Sequence, residues 1–521
     1  MTVMATAVPG SARVPGPSRV LRLEIKRSVV PWVLPLLAAL FYFDTIRTAS
    51  GLPPVWTLRA SAITDHMLND FDAFGAGLAA WVGSREGRRK TGDLVAATPR
   101  AAWARQAAAL GGTAFWLLLA FLAGVAVLYV QTGLQATWGG PPLWPVFVGV
   151  ADVIVVTVFG FTCGTLFPGR FTAPLVAIAI FLLDFAGFHA ALNVTAGSST
   201  YGLLAPDTSP PPVDAGVFYH GLPDVPIAQV MFMGGITLAL LGVLGLAPVL
   251  RKLASRGWPV RGTLVDGDGW WLRAIAVVLL AAGVAASWTA YSLAGTAKLT
   301  ATGWEIPALH DAASDEPVSF VPDCTSGPGG FQVCVHPAFS GYLSDVAAAL
   351  DPVAAEIAGL PGAPVRAEQV ASVGTGPGGF EPSYIAGNPA VFDYNGEQVG
   401  DLFGGFRGIP AGAGPFWRAA FQQGLLDSFL AEPPYAAAAA RTGLAPLGAA
   451  QQAVEDALMI AAGSQPPQDA VQGGQSGGPS QAQITAAARR FAALSPSARH
   501  AWLAAHLRAL ESGQITLGQL P

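Results

Sequence analysis

Five stretches of the chain contain almost no charged residue, and each is about as long as a helix that crosses a lipid bilayer. A hydrocarbon layer ~30 Å thick requires about 20 apolar residues in helical form. Only 12% of the 521 residues are charged, whereas soluble proteins average about 25%. The sequence therefore predicts a polytopic α-helical membrane protein, with helices over residues 112–130, 144–167, 171–192, 228–250 and 272–293.

Two earlier segments give weaker predictions of membrane helices. Residues 31–43 are apolar and follow a basic tail. Because no small-residue cleavage site is present, we predict a retained anchor helix there rather than a signal peptide. Residues 65–84 are cleanly apolar only from residue 73 onward, since Asp70 and Asp72 interrupt the earlier part.

The positions of the basic residues orient these helices. Lysine and arginine concentrate in segments that the positive-inside rule assigns to the cytoplasm, namely residues 1–28, the loop 85–105, the turn at Arg170 and residues 251–271. The tail and the loop share a side only if an even number of crossings separates them, so we count residues 65–84 as a span. This predicts six core helices over residues 29–250, a seventh over 272–293 and a cytoplasmic N-terminus, in a multi-pass protein of the cell membrane.

The chain after residue 293 is predicted to lie outside the cell as a separate domain. Short strand and helix patterns alternate over residues 294–463 and predict a mixed α+β extracytoplasmic domain. Residues 464–482 are rich in Gln, Gly, Pro and Ser and predict a flexible linker. Residues 483–521 then predict a C-terminal helical segment. This outer part is strongly acidic, whereas the membrane part is basic, as expected if the two face different environments.

Two cysteines support this placement. Cys324 and Cys334 lie in the segment DCTSGPGGFQVC, where a Gly/Pro turn closes a small hairpin. An oxidising compartment allows such a pair to form a disulfide, which we predict here. The alternative is two buried thiols.

The loop 85–105, REGRRKTGDLVAATPRAAWAR, has two functional interpretations. It predicts a short helix with Asp93 near its start, where the helix dipole favours an acidic residue, and with Pro99 stiffening its end. Such a helix can act as a lever against a soluble partner. Alternatively, the loop only orients the protein and binds lipid head groups.

The order of residues in this loop resembles a known family. Basic residues, a short acidic and apolar segment and a Thr-Pro-Arg turn follow one another, as Arg85, Arg88, Arg89, Asp93-Leu94-Val95 and Thr98-Pro99-Arg100. This resembles the first intracellular loop of type-two ABC transporter permeases, the membrane subunits of bacterial ABC exporters, where Glu-Leu-Leu is usual instead of Asp-Leu-Val. The segment LRLEIKRS resembles the entry helix of that family, and the spacing of the spans fits over residues 1–250.

The rest of the chain is similar to an extension found in an actinobacterial-type subgroup of these permeases, which adds a seventh span and an extracytoplasmic domain. The subgroup pattern includes Cys-Val-His-Pro, here Cys334 to Pro337. It also includes a closing Trp-Leu-x-x-His-Leu and Leu-Pro, here from Trp502 to Pro521.

The resemblance implies a transport subunit that is not itself an enzyme. It implies that a separate ABC ATPase subunit contacts Arg88, Arg89, Asp93, Leu94, Val95, Thr98, Pro99 and Arg100. The sequence has no G-x-x-x-x-G-K-[ST] loop, so ATP and Mg²⁺ would bind the ATPase, and no cofactor is expected on this chain. The implied partners are that ATPase, a second permease copy or paralogue, and the lipid bilayer. A net charge of −5 argues against nucleic acid.

Acidic residues inside predicted spans are candidates for a translocation path. Asp152 and Asp184 lie within the spans 144–167 and 171–192. Ionisable residues at membrane depth are costly and commonly mark transport pathways. The alternative for each is a structural hydrogen bond.

Two other function classes remain open. The Gly-Leu-Pro-Gly-x-Pro segment after residue 358 faintly resembles the lead-in to zinc-dependent aminopeptidase-like domains, which would make the chain a membrane-anchored enzyme or a degenerate peptidase. The helix predicted over residues 414–430 lacks H-E-x-x-H, so we predict neither metal ligands nor catalytic residues. A binding or sensor protein that uses its outer domain is the third class.

Overall fold

The computed structural model of the chain is mostly helical. It describes residues 17–65, 68–89, 102–192, 217–254, 270–300, 303–371, 383–385, 391–394, 414–430, 448–466 and 479–521. Outside these residues lie most of the predicted linker 464–482, most of the predicted cytoplasmic loop 251–271 and most of the predicted lever in the loop 85–105.

Within the described ranges, four helices are long and apolar enough to cross a membrane, which confirms that prediction at this level. They lie in the helices α7 (Ala102–Gly133), α8 (Trp144–Leu166), α10 (Asp224–Ala254) and α11 (Trp270–Ala294). The helix α9, Thr172–Leu192, contributes a shorter apolar segment, Thr172–Ala186. Each coincides with one of the five predicted spans, but the helices extend further at several ends because the polar residues there continue the helical pattern.

The two weaker segments are helical but built from short pieces. The first, beyond the N-terminal helix α1 (Pro17–Arg27), comprises a 3₁₀ turn, the helix α2, a π-helical turn and the helix α3, over Val30–Trp32, Leu34–Phe41, Tyr42–Ile46 and Arg47–Ser50. The second comprises the helix α4, a π-helical turn, the helix α5 and the short helix α6, over Trp56–Asp65, Leu68–Asp72, Ala73–Gly83 and Arg85–Arg88. The π-helical turns interrupt the regular hydrogen-bond ladder, so neither segment is one long α-helix. The number of six core spans stays a prediction.

Small residues let the membrane helices approach closely. Gly160 and Gly164 of α8 lie against the backbone of α5, where a Cβ atom on either would overlap the carbonyl oxygen of Ala76 or Ala80. Contacts of this kind are typical of helices packed in lipid, where apolar side chains gain little by leaving the hydrocarbon.

The domain that follows α11, which we name the outer domain after its predicted location, contains a five-stranded mixed sheet with the strand order β3-β4-β5-β7-β6. The strands are β3 (Asp323–Ser326), β4 (Gln332–Val335), β5 (Arg366–Gln369), β6 (Ser383–Ile385) and β7 (Val391–Tyr394). The edge pairs β3–β4 and β6–β7 are antiparallel, whereas β4–β5 and β5–β7 are parallel. A separate hairpin of β1 (Lys298–Thr300) and β2 (Gly303–Glu305) follows α11. The predicted mixed α+β character is thus observed.

Five helices pack with the sheet around one apolar core. They are α12 (Leu343–Ile357), α13 (Gly414–Leu430), α14 (Ala449–Ala461), α15 (Gln481–Ala492) and α16 (Pro496–Glu511). Phe392, Leu425, Leu458, Phe491 and Leu503 are all buried in this core. The C-terminal segment, predicted as a unit after a linker, therefore shares the core of the outer domain. The sequence predicted that this segment is helical, but not the surface that its helices cover.

Candidate functional site

The base of the loop 85–105 is held by two ion pairs. The guanidinium of Arg85 donates to both carboxylate oxygens of Glu24 in α1, at 3.2 and 3.1 Å. Glu86 lies 3.8 Å from Arg105 in the first turns of α7. The chain leaves α6 just before residue 90 and re-enters α7 at residue 102, so the second pair links the two ends of the intervening segment.

The same base packs against the C-terminal end of α8. Gly87 lies so close to Pro168 that a Cβ atom on Gly87 would overlap the proline ring. Gly83 approaches the backbone of Phe161 in α8 in the same way. The loop base therefore contacts α1, α7 and the end of α8 at once.

The two predicted ATPase contacts that the structure describes differ in their environment. Arg88 folds back onto α5. Its Nε donates to the Ser84 hydroxyl at 3.0 Å, and its Nη2 donates to the Trp81 carbonyl at 2.8 Å. Its guanidinium lies 3.4 Å from the centre of the Trp81 ring. Arg89 is exposed. Arg88 thus holds the base of the loop on α5, whereas the role of Arg89 as an ATPase contact stays a prediction.

The remaining predicted contacts in the loop lie outside the described residues. They are Asp93, Leu94, Val95, Thr98, Pro99 and Arg100.

A pair of buried carboxyl groups lies among the membrane helices. Asp152 of α8 forms a side-chain hydrogen bond with Asp72, the last residue of the second π-helical turn. Asp152 is 8% exposed and Asp72 is 1% exposed. An ionised carboxylate can only accept hydrogen bonds, so one of the two groups must carry a proton. The sequence identified Asp152 as a candidate but treated Asp72 only as an interruption of a span.

The other predicted path residue, Asp184, is half-buried on α9. Its position within an apolar helix agrees with the predicted span, and its role in transport stays a prediction.

The Cys-Val-His-Pro segment lies at the junction of the membrane part and the outer domain. The His336 ring is fully buried, and its centre lies 4.5 Å from Trp138, 5.0 Å from Phe218 and 4.3 Å from Phe320. Trp138 follows α7 and Phe218 precedes α10, so both belong to loops that connect membrane helices. The adjacent Thr137 hydroxyl donates to the Pro337 carbonyl at 2.7 Å. Sequence reasoning missed the contacts with Trp138 and Phe218 because both residues precede His336 by more than 100 positions in the chain.

Burial keeps His336 neutral. Its Nδ1 accepts a hydrogen bond from the Ala338 N–H at 3.1 Å, which begins the 3₁₀ turn that follows. Burial lowers the pKa of His336 to about 4, although the charge of Asp323 acts in the opposite direction. The ring is therefore part of the apolar packing at neutral pH.

The predicted disulfide is present. Cys324 and Cys334 are joined and face each other across the antiparallel pair β3–β4. The bond links the edge strand β3 to β4, in which Val333, Cys334 and Val335 are buried.

A second histidine, His310, connects the outer domain to the start of α10. Its Nδ1 lies 3.4 Å from Asp224, the first residue of α10, and its Nε2 lies 3.0 Å from Asp315. Burial alone lowers the pKa of His310, but the hydrogen bond to Asp315 and the charges of Asp315, Glu305 and Asp224 together raise it. The fold therefore raises the pKa of His310 and lowers the pKa of His336.

The helix α13, which would carry a peptidase site, is held by polar contacts to its neighbours. In α13, the Gln422 amide donates to the Ala349 carbonyl of α12 at 2.7 Å. Asp427 of the same helix forms a hydrogen bond with Glu455 of α14, where burial and the charges of Asp427 and Asp456 raise the pKa of Glu455. Within the described part of the chain, no group of three or more His, Cys, Asp or Glu side chains could hold a metal ion.

Comparisons of the chain with protein families, with curated proteins and with solved structures found no match. The functional assignment therefore depends on the motif in residues 85–105 and on the geometry of the described residues around it.

Proposed function

We propose that the chain is the membrane-spanning permease subunit of an ABC exporter, driven by a separate ATPase chain. In this proposal residues 85–105 transmit the movement of the ATPase to the membrane helices. The observation that carries it is the combination of the Arg-rich, Asp-Leu-Val and Thr-Pro-Arg pattern with a loop base that is fixed to several helices at once.

The contacts at the base suit a lever. The Arg85–Glu24 pair connects the loop to α1, and the Glu86–Arg105 pair connects its two ends. Displacement of the segment between residues 90 and 101 would therefore move α5 and α7 together. Coupling between distant sites is carried by rigid elements of this kind.

A loop that only orients the protein would not need this base. Positive charge alone satisfies the positive-inside rule, whereas here Arg85 is paired with a carboxylate and Arg88 is hydrogen bonded to α5. These contacts fix geometry rather than add charge. They favour the lever over the purely topological role.

The test places charge on the apolar part of the loop. The variant Leu94→Asp/Val95→Asp should reach the membrane in normal amounts, because the flanking arginines remain, but it should lose its ATPase. Burying two carboxylates in a protein groove costs several kcal/mol. The measurement is mass spectrometry of P-loop ATPases that copurify with the tagged full-length chain from its native membrane.

A second Leu-Val pair in another predicted cytoplasmic loop supplies the matched control. Leu264→Asp/Val265→Asp adds the same two charges outside the loop 85–105 and should keep the ATPase. If the wild-type chain brings down no P-loop ATPase, or if both variants retain it equally, the permease proposal is wrong.

A further inference from the structure

The helix α1 lies where α7 enters its apolar part. Gly112 of α7 is so near α1 that a Cβ atom there would be 3.3 Å from Glu24, and the same atom on Gly111 would be 3.2 Å from Leu21. The Trp116 indole N–H donates to the Ile25 carbonyl at 2.9 Å. These contacts hold one face of α1 at the boundary between the charged start and the apolar middle of α7.

The opposite face of α1 carries a row of cations. Arg19, Arg22 and Lys26 are spaced at i, i+3 and i+7, so they share one side of the helix. All three are exposed. The only acidic residue of α1, Glu24, is neutralised by Arg85. Arg19, Arg22 and Lys26, which we name the cationic row, therefore present net positive charge.

Exposed apolar side chains lie beside the cationic row. Leu23, on the flank of α1, is 48% exposed, and Trp32, just after the helix, is 86% exposed. Tryptophan is enriched at the boundary between head groups and hydrocarbon. A basic helix flanked by such residues is typical of segments that lie in the membrane interface.

We propose that α1 lies in the plane of the membrane interface and that the cationic row binds the phosphate head groups of anionic phospholipids. The phosphates complement the charge of the row, and the acyl region covers Leu23 and Trp32. An acidic protein surface would satisfy the charges but would leave these apolar side chains in water. This inference does not rest on the permease proposal, because it needs only a chain embedded in a bilayer.

The test compares lipids retained by three forms of the full-length chain in nanodiscs of mixed phosphatidylcholine and phosphatidylglycerol. Native mass spectrometry gives the ratio of bound phosphatidylglycerol to phosphatidylcholine. In Arg19→Gln/Arg22→Gln/Lys26→Gln this ratio should fall at least about fivefold, the factor expected for one cation near an anionic surface. The charge-preserving variant Arg19→Lys/Arg22→Lys should keep the wild-type ratio.

A matched control removes three cations elsewhere. Arg489, Arg490 and Arg508 are exposed on the helices α15 and α16, and their replacement by glutamine should leave the lipid ratio unchanged. Raising the salt concentration to about 1 M should lower the wild-type ratio, since the screening length falls to about 3 Å. This measurement needs no variant and remains decisive if the glutamine variant fails to insert.

Three results would overturn the proposal. The wild-type chain could show no preference for phosphatidylglycerol, or the glutamine variant and the control could retain it equally. Alternatively, the glutamine variant could keep its lipids yet lose a copurifying acidic protein, which would make the cationic row a protein-docking site.

Discussion

The membrane part and the outer domain are packed in different ways. Between α5 and α8, glycines bring helix backbones into direct contact, as Gly164 does against Ala80. In the outer domain, large side chains such as Phe392 and Phe491 fill the space between the sheet and its helices. The difference follows from the solvent. Burying an apolar side chain away from water is favourable, whereas moving it out of lipid into the protein gains little.

The largest expected effect tests the backbone contacts. In Gly164→Ala the new methyl group overlaps the Ala80 carbonyl, which requires α5 and α8 to separate. Overpacking commonly costs about 1–3 kcal/mol, and we expect a value above that range because the obstacle is backbone. The measurement is the thermal midpoint of the detergent-purified protein, or its yield if the variant does not accumulate.

A glycine with open space around it supplies the control. A Cβ atom on Gly234 of α10 would meet nothing within 4 Å, so Gly234→Ala should be neutral or slightly stabilising. Equal stability of the two variants would remove the distinction between the two regions.

The second prediction concerns the covalent link in the outer domain. Reducing the Cys324–Cys334 bond should lower the free energy of unfolding of this domain by about 2–3 kcal/mol, because the open loop gains conformational freedom in the unfolded chain. Denaturant titrations of the full chain with and without reductant measure this change. Cys324→Ala/Cys334→Ala should unfold at the lower denaturant concentration and should no longer respond to reductant. Free thiols in the untreated protein would contradict the prediction.

Sequence patterns predicted the elements of both regions better than the contacts between them. Hydropathy located the long helices, and the spacing of cysteines predicted the disulfide, since both depend on residues close in the chain. The Asp72–Asp152 pair, the Arg85–Glu24 pair and the aromatic contacts of His336 join distant segments. Such contacts depend on three-dimensional packing that no single segment encodes.

The interrupted early helices show the same limit in another form. Residues 31–43 and 65–84 are apolar enough to suggest helices, but the π-helical turns Tyr42–Ile46 and Leu68–Asp72 have no simple sequence pattern. Asp72 ends one of these turns, which brings its carboxyl group to Asp152. The polar residue that weakened the predicted span is thus part of the candidate site.

The third prediction uses pH to probe the junction between the regions. The pKa of His336 is about 4 in the folded protein, below its usual value, so the unfolded chain binds more protons between pH 6.5 and 4. Stability from this group is therefore present at pH 7 and decreases by about 2 kcal/mol on acidification to pH 5. His336→Asn, which can still accept from the Ala338 N–H, should reduce the acid-dependent loss by that amount in unfolding measurements.

His310 provides a comparison of opposite sign. Its pKa is raised in the folded protein, so its contribution is fully present below its unfolded pKa and is lost as the pH rises through the folded value. Replacing His310 by asparagine should remove stabilisation on the acidic side, whereas His336→Asn should relieve an acidic loss. Equal pH profiles for both variants would contradict the assignment of His336 to a neutral, buried state.

The smallest effect is expected at the carboxyl pair, and it separates a shared proton from two charges. The Asp72–Asp152 hydrogen bond requires one protonated group. Asp152→Asn has nearly the same shape and offers both an N–H donor and a carbonyl acceptor, so it can keep this hydrogen bond whichever of the two groups carries the proton. The free energy of unfolding, obtained from the shift in the thermal midpoint, should change by less than about 1 kcal/mol. Asp152→Ala leaves Asp72 buried without this partner and should cost about 1–3 kcal/mol. If asparagine is as damaging as alanine, both carboxyl oxygens of Asp152 are needed in a form that an amide cannot supply, and the pair does not simply share a proton.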